Sequence, residues 1–497
     1  MILSAKMAVD MKYIPTIGLE VHMELNTATK MFCHCPNESG DLKPNTNVCP
    51  ICLGHPGTMP VANKEAIKSI IRFGMALGGH ISDTAIFDRK SYFYPDLPKG
   101  YQISQYEHPF VEGGELAGVK LTRVHLEEDA GKLMHATDGT SLVDYNRASV
   151  PLMELVTDPV ISSGDEAQKF AKELQLILRY LGICNADMEK GEMRLEANIS
   201  VRPEGDDKLG TKVEVKNLNS FRSLVDAINF EIKRQSKALD SGERIIQETR
   251  GWNQAKAETY SQRSKEQAHD YRYHPEPDLP PIDLTDKSFI DLDEIRLSVP
   301  ELPIAKRARF ISEFGVTEAQ AAGITDNQYL ADYFEKTVSE ILEEGMEMAE
   351  EDKQKAVTLA ANYILADMKG LMNEMNVTDM EAIKITPENM ADLAVLIVKG
   401  DVTSRMAKDL LRHMFESGLD PRAIIEEKGI KQVTDEGPIL EAVKAVMEAN
   451  PVAVADFKKG KENALQFMIG QTMASLKGQG NPGVVKNVLE KELMVNY

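Results

Sequence analysis

Apolar and polar positions alternate repeatedly over residues 13–300 and predict β-strands, whereas from residue 301 the spacing turns helical. In Thr16-Ile17-Gly18-Leu19-Glu20-Val21-His22-Met23-Glu24 the apolar Ile17, Leu19, Val21 and Met23 alternate with the rest. A strand therefore sets Glu20, His22 and Glu24 on one face. The stretch Arg194–Arg202 does the same with Arg194, Glu196, Asn198, Ser200 and Arg202, and the stretch Lys212–Lys216 with Lys212, Glu214 and Lys216. Any one such strand is accounted for by a half-exposed antiparallel sheet with a solvated face. Three of them, one carrying a Glu-x-His pair, suggest a polar cavity able to hold a hard cation through oxygen ligands.

After residue 301 Leu, Ala, Met, Glu and Lys dominate, punctuated at Gly370, Pro387, Gly400, Gly418, Pro421, Gly429, Pro451 and Gly478 to Pro482. The chain thus reads as α+β: a large N-terminal mixed domain with an antiparallel sheet over residues 1–300, followed by all-α helical and tail domains at 301–415 and 416–497. The join falls in the segment SVPELP around Pro300 and Pro303.

Composition narrows the function. No apolar run approaches the roughly 18–20 residues that a bilayer span needs. The start has neither an apolar signal core nor an Arg/Ser-rich transit bias, so a cytoplasmic protein is expected. With 57 basic and 78 acidic side chains the net charge is −21, which argues against a protein that simply coats nucleic acid. Residues 301–400 carry 9 basic and 19 acidic side chains; residues 401–497 carry 13 and 14. The C-terminal hundred residues are the least hostile place for an RNA, with Lys458, Lys459, Lys461, Lys477 and Lys486 as local cations.

Four of the five cysteines, Cys33, Cys35, Cys49 and Cys52, fall within twenty positions. Four thiolates at these spacings, with a Cys-Pro-Ile-Cys knuckle followed by Gly54, point to a structural zinc ion with no open ligand position. The loop Asp88–Gln102 is dense in cations, aromatics and prolines, and its Arg89, Lys90 and Lys99 could hold phosphate. Leu126-Glu127-Glu128-Asp129-Ala130-Gly131-Lys132 offers three consecutive acids that, beside Glu20 and His22, could complete a magnesium site. There is no Walker-type phosphate loop. Gly478-Gln479-Gly480-Asn481-Pro482-Gly483 has no strand before it and reads as a helix–helix turn. Neither a Ser/Lys amidase cluster nor a Cys-His glutaminase pair is apparent.

IGLEVHMEL, the cysteine quartet, DRKSYFYPDLPKGYQISQ, HLEEDAGK, DYNRASVPLMELV, EANISVR, VEVKNLNSF, QETRGW and DYRYHPEPDLP follow one another over residues 17–280. Together they resemble the B subunit family of the tRNA-dependent amidotransferases that convert Asp-tRNA(Asn) and Glu-tRNA(Gln) to the asparaginyl and glutaminyl forms. Residues 301–497 resemble that family's helical and tail domains. Ser91, Ser149, Glu196 and His274 stand where the family usually has Asn, Gly, Asp and Phe.

The resemblance implies a two-step reaction: ATP phosphorylates the side-chain carboxylate of a mischarged tRNA, and ammonia displaces the phosphate. It implies magnesium and ATP beside the structural zinc. Glu20, His22, Glu128 and Glu214 are then the candidate catalytic residues and magnesium ligands, with Glu127 as a further ligand. Arg89, Lys90, Lys99 and Asn198 are the candidates for holding the nucleotide. It also implies a glutaminase (amidase) partner subunit, a small third subunit completing a heterotrimer, and mischarged tRNA as substrate. Two other readings stay open: a non-catalytic, zinc-stapled tRNA-binding scaffold, and a self-sufficient ATP-dependent ligase that takes free ammonia.

Overall fold

A twelve-residue strand, β1 (Tyr13–Glu24), runs through the middle of the N-terminal sheet. Its apolar residues Ile17, Leu19, Val21 and Met23 are all at most 1% exposed, while Glu20, His22 and Glu24 point the other way and stay half-buried. The computed structural model describes residues 13–38, 40, 42–136, 138–264, 271–429, 436–476 and 479–495. Lys477 and Gly478 of the glycine-rich turn lie outside the described residues.

Further strands that matter here are β2 (Val119–Glu128), β3 (Pro151–Thr157), β4 (Met193–Pro203), β5 (Val213–Leu218), β6 (Glu248–Asn253) and β7 (Glu258–Ser264). Across the sheet the order is β7, β6, β5, β4, β1, β3, β2, with the short strands Val111–Glu112 and His80–Ile81 beyond β2. Every pairing along this path is antiparallel except β5 with β6. The expected antiparallel, mixed N-terminal domain is what the chain forms.

One face of this sheet is closed by helices. Residues Lys64–Ala76, Gly164–Tyr180 and Phe221–Asp240 form α1, α2 and α3, capped by the side chains of Asn63, Ser163 and Ser220. Their apolar stripes, including Ile67, Ile70, Phe170, Leu174, Leu224 and Ile228, join β1 in one core with Leu126, Leu155, Leu195 and Val215. The sheet-borne candidate residues Glu20, His22 and Glu24 lie on the opposite, polar face.

The chain divides into two compact units that meet in sequence at Leu302 and Pro303. Among the described residues the second unit is all-helical. Its buried apolar residues form two clusters, one running from Phe310 to Ile424 and another from Ile439 to Leu493.

Candidate active site

Strand register lays the polar residues in rows across the sheet. His22 of β1 stands opposite Glu154 of β3, and Glu154 stands opposite His125 of β2. On the other flank Glu20 faces Glu196 of β4, and Asn198 lies between Gly18 of β1 and Glu214 of β5. Residues directly opposite in an antiparallel pair project to the same side, so these groups converge.

Three sets result, each with ligand atoms within 4.8 Å of one another: Glu20, His22 and Glu154; His125, Glu127 and Glu154; and Glu20, Glu196 and Glu214. Glu20 and Glu154 each belong to two of them. His22 Nε2 lies 3.4 Å from Glu154, 3.7 Å from Glu127 and 3.9 Å from Glu20. Lys216 reaches into the third set, 2.8 Å from Glu196 and 3.9 Å from Glu214, while Thr249 donates to Glu214 at 2.5 Å. The third set is all oxygen and suits a hard cation; the two that contain histidine offer mixed nitrogen and oxygen donors.

Crowding of acids marks the electrostatics. Burial, then the charges of Glu154 and Glu196, push the Glu20 carboxyl up to about 7, against the pull of His22 and Lys216. Burial opposes charge on His22, yet its hydrogen bond to Glu154 and the charges of Glu154, Glu127 and Glu20 raise it to about 9. Burial also works against the Glu154 carboxylate, but His125 and His22 more than compensate and hold it well below the usual range. A site with this surplus of negative charge favours a divalent cation, whose arrival would displace the proton on His22.

The candidates named from sequence are distributed as follows. Glu20, His22, Glu127 and Glu214 enter the converging sets, and Asn198 borders the third. Lys90 is desolvated, but Glu127, Tyr273 and Glu154 raise it above the ordinary lysine range, so it keeps its charge. Its ammonium also lies 5.2 Å from the ring centre of Tyr271. Glu128 stands outside the sets: it accepts from the Ile103 N–H at 3.0 Å and is ion-paired with Lys99. Arg89 is gripped in bidentate fashion by the buried Glu276, at 2.7 and 2.8 Å, and stacks on Tyr101 at 4.4 Å. Sequence reasoning did not pick out Glu154, His125 and Glu196 as ligands. The alternation in His125-Leu126-Glu127 was available as a signal, since it puts His125 and Glu127, not Glu128, on one face of β2.

A second constellation lies apart from the sheet rows. The sulfurs of Cys33, Cys35, Cys49 and Cys52 are mutually within 4.8 Å, and a tetrahedral ion with Zn–S of about 2.3 Å asks for sulfurs roughly 3.8 Å apart. The donor set therefore fits zinc. The Cys49 N–H donates to the Cys52 sulfur at 3.1 Å. Gly54, just after it, has φ +66° and packs so tightly on Lys99 that a Cβ would collide with that side chain.

Both the rows and the cluster have the donors to hold a metal ion, and residues 15–290 match the GatB/GatE catalytic domain family. Residues 332–493 match the GatB domain family. The chain is 46% identical over 491 residues to the aspartyl/glutamyl-tRNA(Asn/Gln) amidotransferase B subunit of Thermoanaerobacter pseudethanolicus, covering 97% of this chain and all of that protein. It is 45% identical over 494 residues to the protein of the same name from Caldanaerobacter subterraneus subsp. tengcongensis, with 97% and 100% covered. The chain belongs to the family of aspartyl/glutamyl-tRNA(Asn/Gln) amidotransferase B subunits.

Proposed function

We propose that this chain phosphorylates the side-chain carboxylate of Asp-tRNA(Asn) or Glu-tRNA(Gln) with ATP and passes the acyl phosphate to ammonia, giving the amide. One observation carries the reading: Glu20 and Glu154 are each shared between two converging ligand sets on one sheet face. Family membership supports the substrate class. A carboxylate is a poor acyl donor, so its activation is chemically required. A bound magnesium ion would supply neutralising charge for the β- and γ-phosphates. Glu20, His22 and Glu214, with Glu127, Glu154 and Glu196, are assigned to holding metal. Glu128, ion-paired with Lys99, would join them only by giving up that partner. Lys90, charged beside Glu127 and Glu154, is assigned to the transferred phosphoryl group. Arg89 and Lys99 are already ion-paired, so either would contact phosphate by exchanging a carboxylate for a phosphate oxygen. Asn198 borders the same pocket as a neutral hydrogen-bonding group.

In this reading residues 1–300 perform the chemistry, and residues 301–415 and 416–497 serve the tRNA. Without a glutaminase signature of its own, the chain depends on an amidase partner for ammonia, with a small third subunit completing a cytoplasmic heterotrimer. The test is amide formation by the reconstituted complex supplied with ATP, glutamine and mischarged tRNA. Glu20→Gln and Glu154→Gln should each lower it by at least a hundredfold while glutamine hydrolysis persists. Near-normal amide formation in both variants would favour the scaffold reading and overturn this one.

A further inference from the structure

Lys30 is fully buried, at 0% exposure, between Thr29 and the core residues Met31 and Phe32. Its ammonium donates to the Asn47 carbonyl at 2.8 Å, and among the described residues it has no carboxylate partner. A buried cation without a counter-charge is costly, so the anion must come from elsewhere. The four-cysteine cluster is next to it. The Lys30 N–H donates to the Cys35 carbonyl at 2.9 Å. Asn47, two residues before Cys49, ties the loop together by donating to the Pro36 and Glu38 carbonyls at 2.9 and 2.8 Å.

Four thiolates on a divalent ion leave two negative charges, and groups behind the ligands tune how firmly such an ion is held. We infer that Lys30 is the built-in counter-cation of the cysteine cluster, so that the hold on the metal depends on the buried positive charge and not on the sulfurs alone. The inference rests on reading the cluster as a zinc staple.

Zinc transfer from the full-length, zinc-loaded protein to a chromogenic chelator tests it. Lys30→Met and Lys30→Gln should release zinc at least tenfold faster than the parent, and Lys30→Arg within about threefold of it. In zinc-stripped protein the order of stability should invert. There Lys30→Met should raise the thermal midpoint, because the ammonium has lost its counter-charge, whereas a residue that merely packs would shift both forms alike. Neutral variants that release zinc at the parent rate would overturn the inference, and so would Lys30→Arg releasing as fast as Lys30→Met. If the neutral variants fail to fold in excess zinc while Lys30→Arg folds, charge is supported; if all three fail alike, the shape of lysine is what matters and the inference falls. Parent protein purified without chelator and free of zinc would instead remove the zinc reading itself.

Discussion

A single carboxylate oxygen, Oε2 of Glu154, stands 3.4 Å from Nε2 of His22 and 3.4 Å from Nε2 of His125. The three residues come from adjacent strands in direct register, so a buried acid bridges two imidazoles across the sheet. Burial alone would raise such an acid; the two histidines keep it ionised.

Removing that bridge should be visible on its neighbour. In metal-free protein His22 should titrate near 9. In Glu154→Gln its pKa should fall towards the ordinary histidine value, since Glu154 supplies the largest influences that raise it. Histidine NMR titration measures this directly. A His22 value still near 9 in the variant would assign the shift to other groups.

The same crowding gives the metal-free N-terminal unit a definite pH dependence. Glu20 and Glu24 are raised from 4.5 to about 7 and about 8, and His22 from 6.5 to about 9. All three bind protons more tightly folded than unfolded, so their stabilisation is full below the unfolded values and drains away as pH rises. Denaturant midpoints in chelator should therefore decline between about pH 4.5 and 9, and magnesium should flatten the slope. Trp252, the single tryptophan, is buried on the sheet at 7% exposure and reports the transition. A midpoint that climbs with pH across this window would contradict the assignment.

Ser149 occupies a left-handed conformation, φ +69°, while 1% exposed and with its hydroxyl lacking a hydrogen-bond partner among the described residues. Its backbone is fully used, accepting from Met31 and donating to Asp129. Ser149→Gly keeps those bonds and drops both the Cβ strain and the orphan hydroxyl. It should stabilise the N-terminal unit by about 1 kcal/mol in chemical denaturation. A loss of stability would mean the hydroxyl has a use.

Where the chain is cut decides what a truncation says about tRNA. Ile424 is buried in the first helical cluster, and Arg422 bonds Asp392 at 3.3 Å and is ion-paired with Glu344, so a cut at residue 416 damages that cluster too. Deleting residues from 430 onward removes the second cluster and the exposed Lys458, Lys459, Lys461 and Lys486. The KM for tRNA should rise several-fold at low salt, with a smaller difference at high salt, because phosphate contacts are the salt-sensitive ones. Unchanged tRNA affinity at low salt would show that these residues do not grip it.

Strand periodicity made the polar face of β1 legible, and with it Glu20 and His22. The cysteine quartet was legible because its chemistry is local in sequence. Glu154 was not: its strand, Pro-Leu-Met-Glu-Leu-Val-Thr, puts one acid among apolar neighbours on both faces. Only the register with β1 and β2 gives it partners 132 and 29 positions away. Glu196 reads as one more polar residue of β4, since nothing local tells that Glu20 lies opposite. Arg89 looks free for phosphate in the sequence because its clamp, Glu276, is 187 residues distant. Pairing by topology was hidden; alternation and local spacing were not.

β1 is held on both sides, by β3 and by β4, and its two faces carry two different tasks. Sliding it by one residue would carry Glu20 and His22 into the apolar core and put Leu19 and Val21 in their place. Errors of assembly are therefore self-reporting: a chain that has misplaced Glu20 and His22 has also misplaced its core and cannot persist as a folded, idle protein. Quality control of the polar face comes with folding itself.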